Sequence, residues 1–245
     1  MSSVATLLYY WVDLLAVLVA TFVLVRWVDN LEWSFVRLGR ESARPSLLSS
    51  GFVMGMLAIG APSVVLLLTH ELRSVDAPPG SWLLSAAQLA AFLIPAAAAE
   101  ELLMRGYIFS VLRETVGWKL TLIATSVVFG LLHLRNPGAN GENILVVIIA
   151  GFFLGTILLV TESLYAAWMA HFAWNWTMAA GLHTSVSGIG ITVPDYRIID
   201  NGPAWLTGGT WGPEGGFAAA IGMFVFLFYL HARYRHRLQA NPIPR

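Results

Sequence analysis

The chain has 245 residues, of which 57% are apolar and 11% charged, with a mean hydropathy of +0.70. Soluble domains carry about 25% charged residues, so this composition lacks the surface of a water-soluble globule and fits a bilayer as its solvent. The 14 Lys and Arg balance 14 Asp and Glu, and there is no cysteine. This excludes the basic surplus of a nucleic-acid binder, a disulfide framework, a thiolate metal site and a cysteine nucleophile.

A spanning helix needs about 20 mostly apolar residues. By that criterion the spans in chain order are roughly 4–25, 46–69, 82–113, 118–134, 143–161, 163–182 and 216–234. The first block has no basic flank or small-residue cleavage site and reads as a retained helix. The third is too long for one crossing, so it protrudes from the membrane, tilts, or bends at Pro95. Connections 26–45 and 183–215 are long. The latter is rich in Gly and Pro, from Gly188 to Gly215, and reads as a structured turn-rich loop or a mobile lid. The expected fold is therefore all-α: a polytopic transmembrane helical bundle of about seven spans, with residues 1–245 forming a single integral membrane domain.

Lys and Arg are retained on the cytoplasmic side. With the N-terminus outside, the inner connections hold most of the cations, from Arg26, Arg37, Arg40 and Arg44 through Arg105, Arg113 and Lys119 to Arg233, Arg235, Arg237 and Arg245. Only Arg73, Arg135 and Arg197 fall outside. The expected topology is a multi-pass cell-membrane protein with its N-terminus out and its C-terminus in.

Ionisable groups at bilayer depth cost at least about 2.5–3.5 kcal/mol each on insertion scales and mark functional sites by default. Glu100, Glu101 and Arg105 lie in the third span, His133 near the end of the fourth, and His171 with Asn175 in the sixth. With the turn between spans three and four near residue 116, Glu100 and His133 each lie about 24–26 Å along their helices and are level. His171 and Asn175 are four residues apart and share one helix face, entering somewhat shallower. Glu101 and Arg105 have the same spacing and can pair, which leaves Glu100, about 100° round the helix, free for chemistry.

Such a cluster supports two mechanisms. In one, desolvation strengthens Glu100 as a general base toward water while His133 or Asn175 donates to the developing oxyanion. In the other, His133, His171 and Glu100 bind zinc and leave a position open for water. Both hydrolyse a carbonyl substrate by activated water, and the residues alone leave the choice open.

The run Glu100-Glu101-Leu102-Leu103-Met104-Arg105 resembles an EExxxR motif, Phe129 to His133 an FxxxH motif and His171 to Asn175 an HxxxN motif. In that order they resemble the CPBP intramembrane protease family, also called Abi, which includes CAAX prenyl endoproteases and bacteriocin-immunity proteins. The resemblance covers roughly residues 82–182, which it makes the catalytic core. It implies that Glu100 activates water, that His133 assists or steadies the transition state, that His171 and Asn175 complete the oxyanion or metal site, and that Glu101 and Arg105 are supporting. It further implies an endopeptidase acting on a peptide or membrane-protein substrate beside membrane lipid. The stretch from Gly202 to Gly215 also resembles a segment of many bacterial members, without a physical role evident from sequence.

Other readings compete. The polar cluster suits a non-catalytic scaffold or an immunity protein that binds a peptide, and intramembrane Glu and His also serve ion or proton transporters. Asp13 reads as interfacial or paired with a helix terminus, while His70, Glu71 and Glu162 sit at span ends without a role. His183 is a candidate lid residue. His231 and His236 join the basic C-terminal end, and Trp11, Trp27, Trp33, Trp82 and Trp118 fit aromatic belts at the headgroups. Ala96 to Ala99 favour close helix packing.

Overall fold

The computed structural model describes residues 4–239; Arg245, counted above among the inner cations, lies outside them. The helices are α1 (Val4–Phe22, continued by a π segment Val23–Val28), α2 (Pro45–Leu68), α3 (Trp82–Arg105), α4 (Tyr107–Val116), α5 (Trp118–Leu132), α6 (Gly141–Thr161), α7 (Leu164–Trp176, continued by a π segment Thr177–Leu182), α8 (Ala204–Thr207) and α9 (Phe217–Gln239). A two-stranded antiparallel ribbon, β1 (Leu72–Asp76) with β2 (Tyr196–Asp200), pairs Leu72 with Asp200 and Asp76 with Tyr196. Apart from this ribbon the chain is a helical membrane bundle, all-α in class.

Among the described residues, five helical stretches are long and apolar enough to cross a membrane: Val4–Val28, Pro45–Leu68, Trp82–Val116, Gly141–Thr161 and Phe217–Arg235. The other two of the seven sequence spans, α5 and α7, do not meet that criterion. α5 has only 15 residues, about 22 Å of rise. α7 carries His171 and Asn175 and packs between α2, α3 and α6.

The long third span breaks at Gly106 (φ −82°, ψ −116°), between α3 and α4. It does not break at Pro95, which sits inside α3. A proline in a helix strips the carbonyl four residues earlier of its donor, and here that carbonyl, Ala91, accepts the indole N–H of Trp11 at 3.1 Å. Trp11 is thus a tie between α1 and α3, and Trp82 likewise donates to the Ala180 carbonyl at 2.7 Å. Trp27 is exposed, as an aromatic belt requires.

α7 is held by two devices. Gly51 and Gly55 of α2 lie so close to α7 that a Cβ on either would strike the carbonyl oxygen of Ala166 or Ala170, a small-residue crossing that lets two backbones touch. On its α3 side, Trp168 donates to the Ile94 carbonyl at 2.9 Å and Trp176 to the Ala86 carbonyl at 3.0 Å. Replacing Gly55 with Leu is expected to push α7 away and lower stability by about 1–3 kcal/mol, the usual cost of overpacking. Unfolding in detergent measures this, and an unchanged midpoint would contradict the crossing.

At the end of the bundle where α4 meets α5 and α6 meets α7, Glu162 joins two cations that sequence left unassigned. Arg37 Nε lies 2.6 Å from its carboxylate, and Arg113 donates both Nη atoms at 3.1 and 2.9 Å. Burial alone would raise the Glu162 carboxyl, but the Arg113 and Arg37 guanidinium groups outweigh it and hold the group below its ordinary value of 4.5. A depressed folded value stabilises fully above the unfolded value and loses that contribution as pH falls through the folded one. The thermal midpoint is therefore expected to fall on acidification below about 4.5, and less steeply in Glu162→Gln. Identical acid limbs would contradict the cluster.

The stretch 183–215 is built, not loose. It contains β2, α8 and two 3-10 turns, Gly209–Trp211 and Pro213–Gly215, and it buries Trp211. His183 is buried against this ribbon, with its ring nitrogens on the carbonyls of Tyr196 (2.6 Å) and Ala180 (3.1 Å). Its ring stacks on Tyr196 at 3.9 Å. It is a structural post for β2, away from the cavities described below.

Candidate active site

The site begins with a buried ion pair. Arg105, with no exposed side-chain surface, donates from Nη1 to Glu101 Oε1 at 2.9 Å across one turn of α3. Its Nη2 donates to the Gly151 carbonyl of α6 at 3.3 Å, and its guanidinium lies 4.3 Å from the Phe129 ring centroid. The sequence fixes the first contact by i, i+4 spacing. The other two arise because α5 and α6 close around α3.

Glu101 has a second partner. His171 Nδ1 lies 3.0 Å from Glu101 Oε1. The carboxylate accepts, so Nδ1 carries the hydrogen and Nε2 remains for chemistry. His171 Nε2 is 3.9 Å from Glu100 Oε2, beyond hydrogen-bond length. His133 caps α5 and is set in the same way: its Nδ1–H donates to the Phe129 carbonyl at 2.8 Å, leaving Nε2. Phe129 packs both imidazoles, with its centroid 4.8 Å from His133 and 5.9 Å from His171.

Two cavities meet these groups. A large one of about 690 Å³ runs between α1, α3 and segment 186–192 and is lined by Glu100, His133 and Asn175, with Asp13 and Ser187 further along its wall. A small one of about 30 Å³ is lined by His133, His171, Asn175, Ser187 and Glu214. By size it accommodates about two water molecules. Glu100, whose side chain is 45% exposed, reaches into the large cavity. His133 and Asn175 line both cavities, Glu100 the large one and His171 the small one, with Glu101 and Arg105 buried behind them. Asp13, read as interfacial, faces the large cavity.

The zinc alternative requires His133, His171 and Glu100 to converge on one cation. Among the described residues, no group of three His, Asp or Glu side chains is placed to hold a metal ion. The donor set does not fit zinc as arranged.

Sequence reasoning missed two wall residues, Glu214 and Ser187, and the bond from Glu101 to His171. The glycines around Glu214 were the available signal, since so many in one stretch suit a tightly packed loop as well as a flexible one.

Residues 81–177 match the family model described as type II CAAX prenyl endopeptidase, Rce1-like. Over that stretch, less than half of its length, the chain is similar to this family. No curated protein and no solved structure matches the chain. The matched stretch takes in α3 to α7 and all seven fixed residues of the three motifs, from Glu100 to Asn175, whereas Asp13, Ser187 and Glu214 lie outside it.

Proposed function

We propose that the protein is an intramembrane endopeptidase that hydrolyses a peptide bond of a peptide or membrane-protein segment entering the large cavity from the bilayer. The observation that carries this reading is that Glu100, His133, His171 and Asn175 line two cavities that share His133 and Asn175, with both imidazoles tied through Nδ1 so that each offers Nε2.

Glu100 takes a proton from water as the hydroxide oxygen bonds to the scissile carbonyl carbon. The carbonyl oxygen becomes an oxyanion, which accepts hydrogen bonds from Asn175 Nδ2 and from the Nε2–H of His133 in its imidazolium form. The intermediate then collapses: the C–N bond breaks, and the proton held by Glu100 passes to the leaving amine. Glu101 keeps His171 in the orientation that presents Nε2, and Arg105 keeps the Glu101 carboxylate neutralised. Closing the site off from bulk water strengthens each of these interactions. Residues 82–182 supply this core, and the N-terminus lies outside the cell with the C-terminus inside.

Purified protein in lipid nanodiscs, given a library of synthetic apolar peptides and followed by mass spectrometry, tests the assignment. His133→Ala and Asn175→Ala are each expected to lower turnover about 10²–10³-fold, as loss of an oxyanion donor does. Undiminished cleavage by either would contradict its role. A scaffold would leave the library intact, and a transporter would instead show cation flux in vesicles.

A further inference from the structure

One buried carboxylate has no part in the chemistry above. Glu214, 8% exposed, sits on the Pro213–Gly215 turn and lines the small cavity beside His133, His171 and Asn175. Among the described residues no cation pairs with it. Its partners are neutral donors. The Trp174 indole N–H donates to Oε2 at 2.8 Å, while the Ser187 hydroxyl, at 2.8 Å, and the Ser187 backbone N–H donate to Oε1. A carboxylate is an acceptor only, so it satisfies all three; an amide would set its own NH₂ against a donor.

Those donors stand where position matters. Trp174 immediately precedes Asn175 on α7. Ser187 has φ +49°, a left-handed conformation that costs a non-glycine residue energy unless its surroundings impose it. Glu214 holds its N–H and hydroxyl, and the Asn136 amide donates to its carbonyl at 3.1 Å. Asn175 and Ser187, with Phe129 and His133, line both cavities. The turn that carries Glu214 is itself fixed: Gly212 has φ +103°, and a Cβ there would strike the Ser185 carbonyl.

We propose that Glu214 is a positioning residue, bracing Asn175 through Trp174 and fixing Ser187, so that the carboxamide stays aimed at the developing oxyanion. The inference rests on the endopeptidase reading and adds to it a part supplied from outside the matched stretch.

The test uses a fluorogenic form of a library peptide that the wild type cleaves. Glu214→Gln is expected to lower kcat about 10–100-fold, as small misplacements of catalytic groups do, with KM within about threefold and the thermal midpoint unchanged. In an Asn175→Ala background the same substitution is expected to cost less than about threefold more, because the two act through one group. Trp174→Phe, which removes only the indole donor, is expected to reproduce the kcat loss and serves if Glu214→Gln does not fold. Multiplying losses with Asn175→Ala, a loss that tracks the thermal midpoint, or full activity in Glu214→Gln would overturn the proposal while leaving the endopeptidase reading intact. A wild type that cleaves nothing would overturn both.

Discussion

Glu100→Gln is expected to leave the protein folded in the membrane and to abolish peptide cleavage, with turnover falling by at least about 10²–10⁴-fold, the usual worth of a positioned general base. The amide is isosteric but cannot take a proton from water. The thermal midpoint should stay put, because Glu100 is half exposed in the large cavity and, among the described residues, accepts no hydrogen bond; its approach to His171 is 3.9 Å. Unfolding in detergent and peptide turnover, measured on the same preparation, separate the two effects. Turnover equal to wild type would remove Glu100 from the mechanism, and a collapse of the midpoint would make it a structural residue.

The second large effect belongs to Arg105. Removing one partner of a buried pair costs about 3–5 kcal/mol, because the other charge is left without compensation. Arg105→Leu would strand Glu101, whose side chain is 1% exposed and whose Oε2 has no hydrogen-bond partner among the described residues. It would also remove the donor to Gly151 and the cation over Phe129. The variant is expected to unfold at a much lower midpoint. Adding Glu101→Gln removes the stranded charge, so the double variant should recover part of that stability but no activity, since His171 Nδ1 then faces an amide in place of a carboxylate. A double variant no more stable than Arg105→Leu would contradict this account of the pair.

Much of the site could be read from the chain because its cost is local. An ionisable side chain within an apolar run has to find a partner, so Glu100, Glu101, Arg105, His133, His171 and Asn175 stood out before any packing was known. Rise per residue alone put Glu100 and His133 level. Helical spacing also gave the Glu101–Arg105 pair. What sequence could not give were contacts made across long separations. His171 reaches Glu101 over 70 residues, and Glu214 reaches Trp174 over 40. Neither partner is implied by the other's neighbourhood.

Sequence left the third span protruding, tilted or bent at Pro95, and the bend fails for the same reason. Pro95 is a helix breaker by local rules, yet the carbonyl it orphans finds Trp11 80 residues away, and the helix breaks at Gly106 instead. Counting spans by apolar length gave seven. Five stretches meet the length and apolarity criteria, with α5 too short and α7 enclosed by its neighbours. The Gly-rich stretch after α7 looked as much like a lid as a wall. Its glycines serve close packing, which becomes visible only with Ser185, Trp211 and Asn143 around them.

The central claim is that one water, activated by Glu100 between the two imidazoles, cuts a peptide bond at bilayer depth. Wild-type protein in nanodiscs, incubated with the apolar peptide library in water enriched in ¹⁸O, measures this most directly. The account predicts new peptide C-termini that carry ¹⁸O, formed by wild type and absent with Glu100→Gln. A library left intact by wild type, or the same labelled products from Glu100→Gln, would contradict it.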